Sequence, residues 1–110
     1  MKIEIQGQDA VTATEELLSI VRKEGLEGSY QILEEVERGE VNTTIATIAA
    51  SVVIASGMVN IAEQIYQWKE RYFQTKSDPR IEKVLIVAPN GNRLLLKDAS
   101  LEQIQEILQD

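Results

Sequence analysis

The chain has 110 residues and a formal net charge of −7, and it contains neither cysteine nor histidine. That length suits one domain with a core of its own, and apolar residues at 44% with charged residues at 26% are globular proportions. The missing residue types exclude disulfides and thiolate metal sites and remove the commonest general base. Because the charge is acidic, nucleic-acid binding is disfavoured. We predict one domain, residues 1–110, that is not an enzyme and has no cofactor, metal site or nucleic-acid partner.

The first predicted element is a strand. Ile3 and Ile5 alternate with polar residues, which is the period of a strand with one buried face. The same stretch lacks the apolar run and small-residue cleavage site of a signal peptide, so a cytoplasmic location is expected.

A helix is predicted next. Residues 12–15, Thr-Ala-Thr-Glu, have the spacing of a capping box, in which the first and last side chains bond each other's backbone N–H. The apolar residues Leu17, Leu18 and Val21 follow on one helical face. Gly25 should end this helix.

Residues 29–38 fit two patterns. Tyr30, Ile32 and Val36 match the alternation of a strand, whereas Tyr30, Leu33 and Glu37 match a helical repeat. We favour a strand. The segment is also acidic, and its carboxylates lack the spacing of a calcium loop, so we interpret them as a solvated acidic edge. The acidic residues are Glu34, Glu35 and Glu37 within the segment and Glu40 just after it.

A long helix is predicted from Thr43 or Thr44 to about Phe73, as one piece or as two stacked end to end, since no proline and only Gly57 interrupt it. Within it, the 22 residues 41–62 carry no charge, a length that meets the nominal requirement for crossing a bilayer. Seven of these residues are Asn, Thr or Ser, and no aromatic belt marks the near end. A membrane-anchored protein with a transmembrane helix at 41–62 is therefore the alternative rather than the favoured hypothesis.

The long helix carries two apolar stripes, and one small sheet covers only one of them. The first stripe includes Ile45, Ile48, Val52, Val59 and Tyr66. The second lies about 100° round the helix and consists of Ile54, Met58, Ile61, Ile65, Trp68 and Tyr72. We assign the first stripe to the core and the second to an interface with a partner or a second copy. The reverse assignment, and burial of both stripes within the monomer, remain open.

The last third of the chain predicts a hairpin and a helix. Residues 81–88 and 94–96 are apolar runs separated by an Asn90-Gly91 turn, a strong hairpin signal. Residues 100–103, Ser-Leu-Glu-Gln, form a second capping box before a short apolar-faced helix. The predicted fold is α+β: a small sheet of an N-terminal strand, a second strand and a C-terminal hairpin, packed with a long central helix and two shorter helices.

Residues 39–108 resemble the effector-associated constant component family of bacterial conflict systems. The matching features, in order, are Gly39-Glu40-Val41, the small and apolar helix, Ile65 to Arg71, Val84 to Val87, Asn90-Gly91-Asn92, Leu94 to Leu96 and the closing helix Ser100 to Leu108. The resemblance implies a constant, non-catalytic partner encoded beside variable effector proteins. It predicts an interaction component of a bacterial conflict, or defence, system that forms a homo-oligomer and binds an effector protein encoded nearby.

Overall fold

A computed structural model of the chain describes residues 1–38, 43–53, 61–73 and 81–109. Their elements, in chain order, are β1 (Lys2–Gly7), α1 (Ala10–Lys23), β2 (Glu27–Arg38), β3 (Thr43–Val53), α2 (Ile61–Phe73), β4 (Ile81–Val87), β5 (Arg93–Leu95) and α3 (Leu101–Gln109). The predicted α+β class is confirmed. The predicted first strand, second strand and hairpin have their counterparts in β1, β2 and the β4–β5 pair.

The strands form one antiparallel sheet in the order β2-β3-β1-β4-β5. β1 is the central strand, because Ile3 pairs with Ala50 of β3 on one side and with Ile86 of β4 on the other. The succession β1-α1-β2-β3-α2-β4 with this strand order is that of the split βαβ, or ferredoxin-like, arrangement. β5 and α3 extend it.

The hydrophobic core lies between one face of this sheet and the helices. Alternate strand residues such as Ile3, Ile5, Ile48 and Ile86 are fully buried there, as the period of two requires. They join Leu17 and other apolar residues of the helices in one cluster. The sheet and the helices therefore share a single core.

Local signals define some element ends and not others. At α3, the Ser100 Oγ accepts from the backbone N–H of Gln103 at 3.2 Å, and the Gln103 side chain accepts from the Ser100 N–H at 2.9 Å, so this capping box is confirmed. The capping box predicted at residues 12–15 is wrong, because α1 already begins at Ala10. In the β4–β5 turn Gly91 has φ +93°, which glycine adopts without strain.

β3 corrects the predicted long helix. Residues 43–53 are a strand, residues 54–60 lie outside the described part of the chain, and only the stretch from Ile61 to Phe73 is the predicted helix. Seven of the eleven β3 residues are β-branched, which favours a strand. Because alanine occupies both faces of β3, the alternation is hidden in the sequence, and Ile45, Ile48 and Val52 fall by coincidence at helical steps.

The same finding bears on the predicted membrane span at 41–62. Residues 43–53 within it pair with two neighbouring strands, which is not the structure of a transmembrane helix. Among the described residues, no helix combines the length and the apolar character needed to cross a bilayer.

Candidate functional site

The predicted interface residues of α2 lie in the core. Ile61, Ile65, Trp68 and Tyr72 are buried within the chain itself, while Ile54 and Met58 lie outside the described residues. The predicted orientation of the helix is corrected accordingly: the face with Trp68 points inward, and Tyr66 on the neighbouring face is only half-buried. Those four side chains therefore offer no free surface to a partner.

Polar contacts explain why this face is turned inward. The Trp68 indole N–H donates to the Ala13 carbonyl of α1 at 3.0 Å, and the Tyr72 hydroxyl donates to the Glu16 carboxylate at 2.6 Å. Burial, and secondly the hydrogen bond to Glu16, raise the pKa of Tyr72 above its ordinary value. Each aromatic side chain thus keeps a partner for its polar atom inside the protein. Trp68 and Tyr72 therefore belong to the hydrophobic core.

The buried Lys69 side chain links α2 to the turn before α3. The side chain is 5% exposed, and its Nζ donates to the Ala99 carbonyl at 2.7 Å, in that turn. The Nζ also lies 3.4 Å from the Glu70 carboxylate and 4.9 Å from the centre of the Tyr66 ring. A hydrogen bond to Glu70 raises the pKa of Tyr66. The ammonium group thus has three partners and holds the end of α2 against α3.

In the proximal part of β2, residues 27–30, Gly28 and Tyr30 are half-buried and Tyr30 packs against the core. A Cβ at Gly28 would lie 2.6 Å from the Leu18 Cδ2, so the glycine lets α1 pack closely on the strand. The Arg22 side chain donates to the Gly28 carbonyl at 3.0 Å, and the Tyr30 hydroxyl donates to Glu15 at 3.0 Å. Helix α1 therefore covers the strand as far as Tyr30.

The distal half of β2, residues 31–37, is exposed at every position. Three large apolar side chains lie in it: Ile32 is 46% exposed, Leu33 52% and Val36 42%. The charged residues of the segment are Glu34, Glu35 and Glu37. All three are exposed, as predicted for a solvated acidic edge. Glu40 lies outside the described residues. Apolar and acidic side chains thus share one short surface strand.

The sheet leaves one long side of this segment free. Among the described strands β2 pairs with β3 alone, so it is the edge of the sheet. A β-bulge between Ile32 and Glu34 leaves Leu33 without a cross-strand partner, and beyond it Val36 pairs with Ile45. Edge strands expose unpaired backbone N–H and C=O groups, and proteins commonly limit their pairing with bulges and charges. Both devices are present here.

Among the residues that the structure describes, two other large apolar side chains are strongly exposed, each on its own. Val53 at the end of β3 is 66% exposed, and Leu95 on β5, the opposite edge strand, is 58% exposed. Isolated exposed apolar residues are normal, whereas three within seven residues of a strand at the edge of the described sheet make a candidate contact surface. The distal half of β2 is therefore the candidate functional site.

No family model, characterised protein or solved structure matches the chain. Within the described ranges, no group of three His, Cys, Asp or Glu side chains is placed to bind a metal ion. The sequence predicts a strand and an acidic edge at residues 29–38, but its pattern does not mark this segment as a candidate interaction surface. The available signal was the pair Ile32-Leu33 followed at once by two glutamates, which suits neither a covered strand nor a purely solvated one.

Proposed function

We propose that the chain is a non-enzymatic interaction component of a bacterial conflict system, of the effector-associated constant component type, and that it binds a partner protein along the distal half of β2. The observation that carries the proposal is the free edge strand on which Ile32, Leu33 and Val36 stay exposed. The biological setting comes from the resemblance of residues 39–108 to that family, without the predicted helix over residues 43–53 that β3 replaces. The cytoplasmic location stays a prediction.

The mode of binding proposed is strand addition. A strand of the partner would continue the sheet next to β2, so that backbone hydrogen bonds provide affinity and side chains provide specificity. Covering three half-exposed apolar side chains contributes on the order of a few kcal/mol. Such a surface suits a constant component, because backbone pairing places few demands on the partner's sequence.

Co-expression with the proteins encoded by the neighbouring genes tests the proposal. Leu33→Glu adds a charge where the partner strand should pack, and Leu95→Glu makes the same change at a similarly exposed leucine on the opposite edge. We expect wild type and Leu95→Glu to co-purify a neighbouring effector protein, and Leu33→Glu to lose at least ten-fold in affinity, a loss of about 1.4 kcal/mol.

Both variants should fold, since each leucine is on the surface; circular dichroism checks this. If no neighbouring protein is bound, the proposed function is wrong. If one is bound equally by all three proteins, the partner uses another surface, and the assignment of the site to β2 is wrong.

A further inference from the structure

We infer that the partner presents a basic strand to the distal half of β2, with Lys or Arg opposite the glutamates and apolar residues opposite Ile32 and Val36. The inference rests on the proposed function and specifies its partner. It excludes a second copy of this chain as the occupant of the edge.

The distribution of charge along the edge is the first argument. In residues 31–37 every charged side chain is acidic, and Glu34, Glu35 and Glu37 are all exposed. A strand that pairs here brings its side chains to within about 5 Å of them. Opposite charges at that spacing stabilise a strand pair and like charges destabilise it. The edge therefore selects a cationic strand.

The same spacing argues against self-pairing. Suppose that two copies of this strand pair antiparallel about a two-fold axis that passes anywhere from residue 34 to residue 36. In every such register, counted along the sequence, a glutamate of one copy lies directly opposite a glutamate of the other. The net charge of −7 adds a general repulsion between copies. Pairing between copies of the chain through this edge is thus opposed, while its apolar residues stay available to a positively charged partner.

The position of the apolar residues defines the pattern of the partner strand. Ile32 pairs with Ile48, which belongs to the core-side face of the sheet, whereas Val36 pairs with Ile45, which does not belong to the core cluster. An apolar side chain is therefore offered on each face, with glutamates between them. An antiparallel strand Lys-Val-Lys-Lys-Val-Thr matches residues 37 to 31 in order, if Leu33 is left unpaired in its bulge.

Two synthetic peptides test the inference. The first is Lys-Val-Lys-Lys-Val-Thr and the second Glu-Val-Glu-Glu-Val-Thr, both acetylated and amidated, titrated into ¹⁵N-labelled full-length protein. We expect the lysine peptide to shift the backbone amides of residues 31–37 with at least ten-fold higher affinity than the glutamate peptide. That affinity should fall several-fold between about 50 and 300 mM salt, because screening weakens exposed charge pairs.

A charge-reversed protein is the matched control. In the triple variant Glu34→Lys, Glu35→Lys, Glu37→Lys, all three sites are exposed, so the fold should persist and the preference should pass to the glutamate peptide. The inference is overturned if neither peptide shifts residues 31–37, if both bind equally, or if light scattering shows a dimer that the triple variant abolishes. If co-purification still depends on Leu33 in any of these cases, the proposed function survives without the basic partner.

Discussion

Helix α2 and the distal half of β2 are both rich in apolar residues, yet one is inside the molecule and the other outside. On α2 the polar atoms of Trp68 and Tyr72 meet acceptors on α1 at 3.0 and 2.6 Å. On β2 the cover of α1 stops at Tyr30, and the apolar residues beyond it alternate with carboxylates. Apolar content therefore does not separate core from surface in this chain; what distinguishes α2 is that the polar atoms of its buried aromatic residues have partners inside the protein.

Truncating Trp68, compared with truncating Leu33, should give the largest difference between the two regions in the free energy of unfolding. Trp68→Ala leaves a cavity in the core and should cost about 3–5 kcal/mol, a large part of the 5–15 kcal/mol typical of a whole domain. Leu33→Ala should change the free energy of unfolding by less than about 0.5 kcal/mol, because the side chain is on the surface. Urea denaturation followed by circular dichroism measures both.

Trp68→Phe serves as a control, because it keeps most of the side-chain volume but loses the N–H that donates to Ala13. Its loss of unfolding free energy should lie between those of Trp68→Ala and Leu33→Ala. A Leu33→Ala protein as unstable as Trp68→Ala would contradict the comparison, since β2 would then contribute to the core along its whole length.

Removing the Lys69 ammonium group should lower the free energy of unfolding by less than truncating Trp68. Lys69→Met keeps the apolar stem but leaves the Ala99 carbonyl without its donor, which should cost about 1–3 kcal/mol. Lys23→Met, on the exposed last turn of α1, is the matched control and should be nearly neutral. Equal stability of the two variants would mean that the buried contact with Ala99 contributes nothing to holding α3.

The smallest expected effect concerns the Tyr72 hydroxyl. Tyr72→Phe should lose about 1 kcal/mol near neutral pH, with the hydrogen bond to Glu16. Because the folded pKa of Tyr72 is raised above 10.0, the unfolded chain loses this proton first. The contribution of Tyr72 is therefore complete below about pH 10 and declines as the pH rises beyond it.

Urea titrations of both proteins from about pH 8 to pH 11 measure this decline. The stability difference between wild type and Tyr72→Phe should narrow towards the alkaline end. The comparison isolates Tyr72 from Tyr30 and Tyr66, whose pKa values are also raised by neighbouring glutamates. A difference that stays constant with pH would show that the hydroxyl is not held as described.

The parts of the fold that were predictable are those set by neighbouring residues. The Ser100 capping box starts α3, the Asn90-Gly91 turn joins β4 to β5, and the alternation around Ile3 defines β1. β3 was missed because Ala46 and Ala50 on its core face and Ala49 on the other make both faces read as apolar. The structure of such a segment is decided by its pairing, above all with β1, which is distant in sequence.

The candidate site depended still more on distant contacts. The sequence indicated an acidic strand near residues 29–38, but only the strand order shows that this strand is an edge. Likewise, the spacing of Ile61, Ile65, Trp68 and Tyr72 correctly grouped them on one helical face, while the position of α1 determined that this face is buried. Periodicity groups residues, and tertiary packing decides which side faces water.

The central place of β1 has a consequence for synthesis of the chain on the ribosome. β1 is synthesised before the two strands with which it pairs: β3, whose Ala50 lies opposite Ile3, and β4, whose Ile86 lies opposite Ile3 on the other side. β2 and β3 can pair early, but the middle of the sheet closes only after β4 has been made. Pairing across such separations slows folding and leaves strand edges transiently open. A nascent chain halted before residue 81 would lack β4 and leave one side of β1 without its partner, so we expect such intermediates to depend on chaperones.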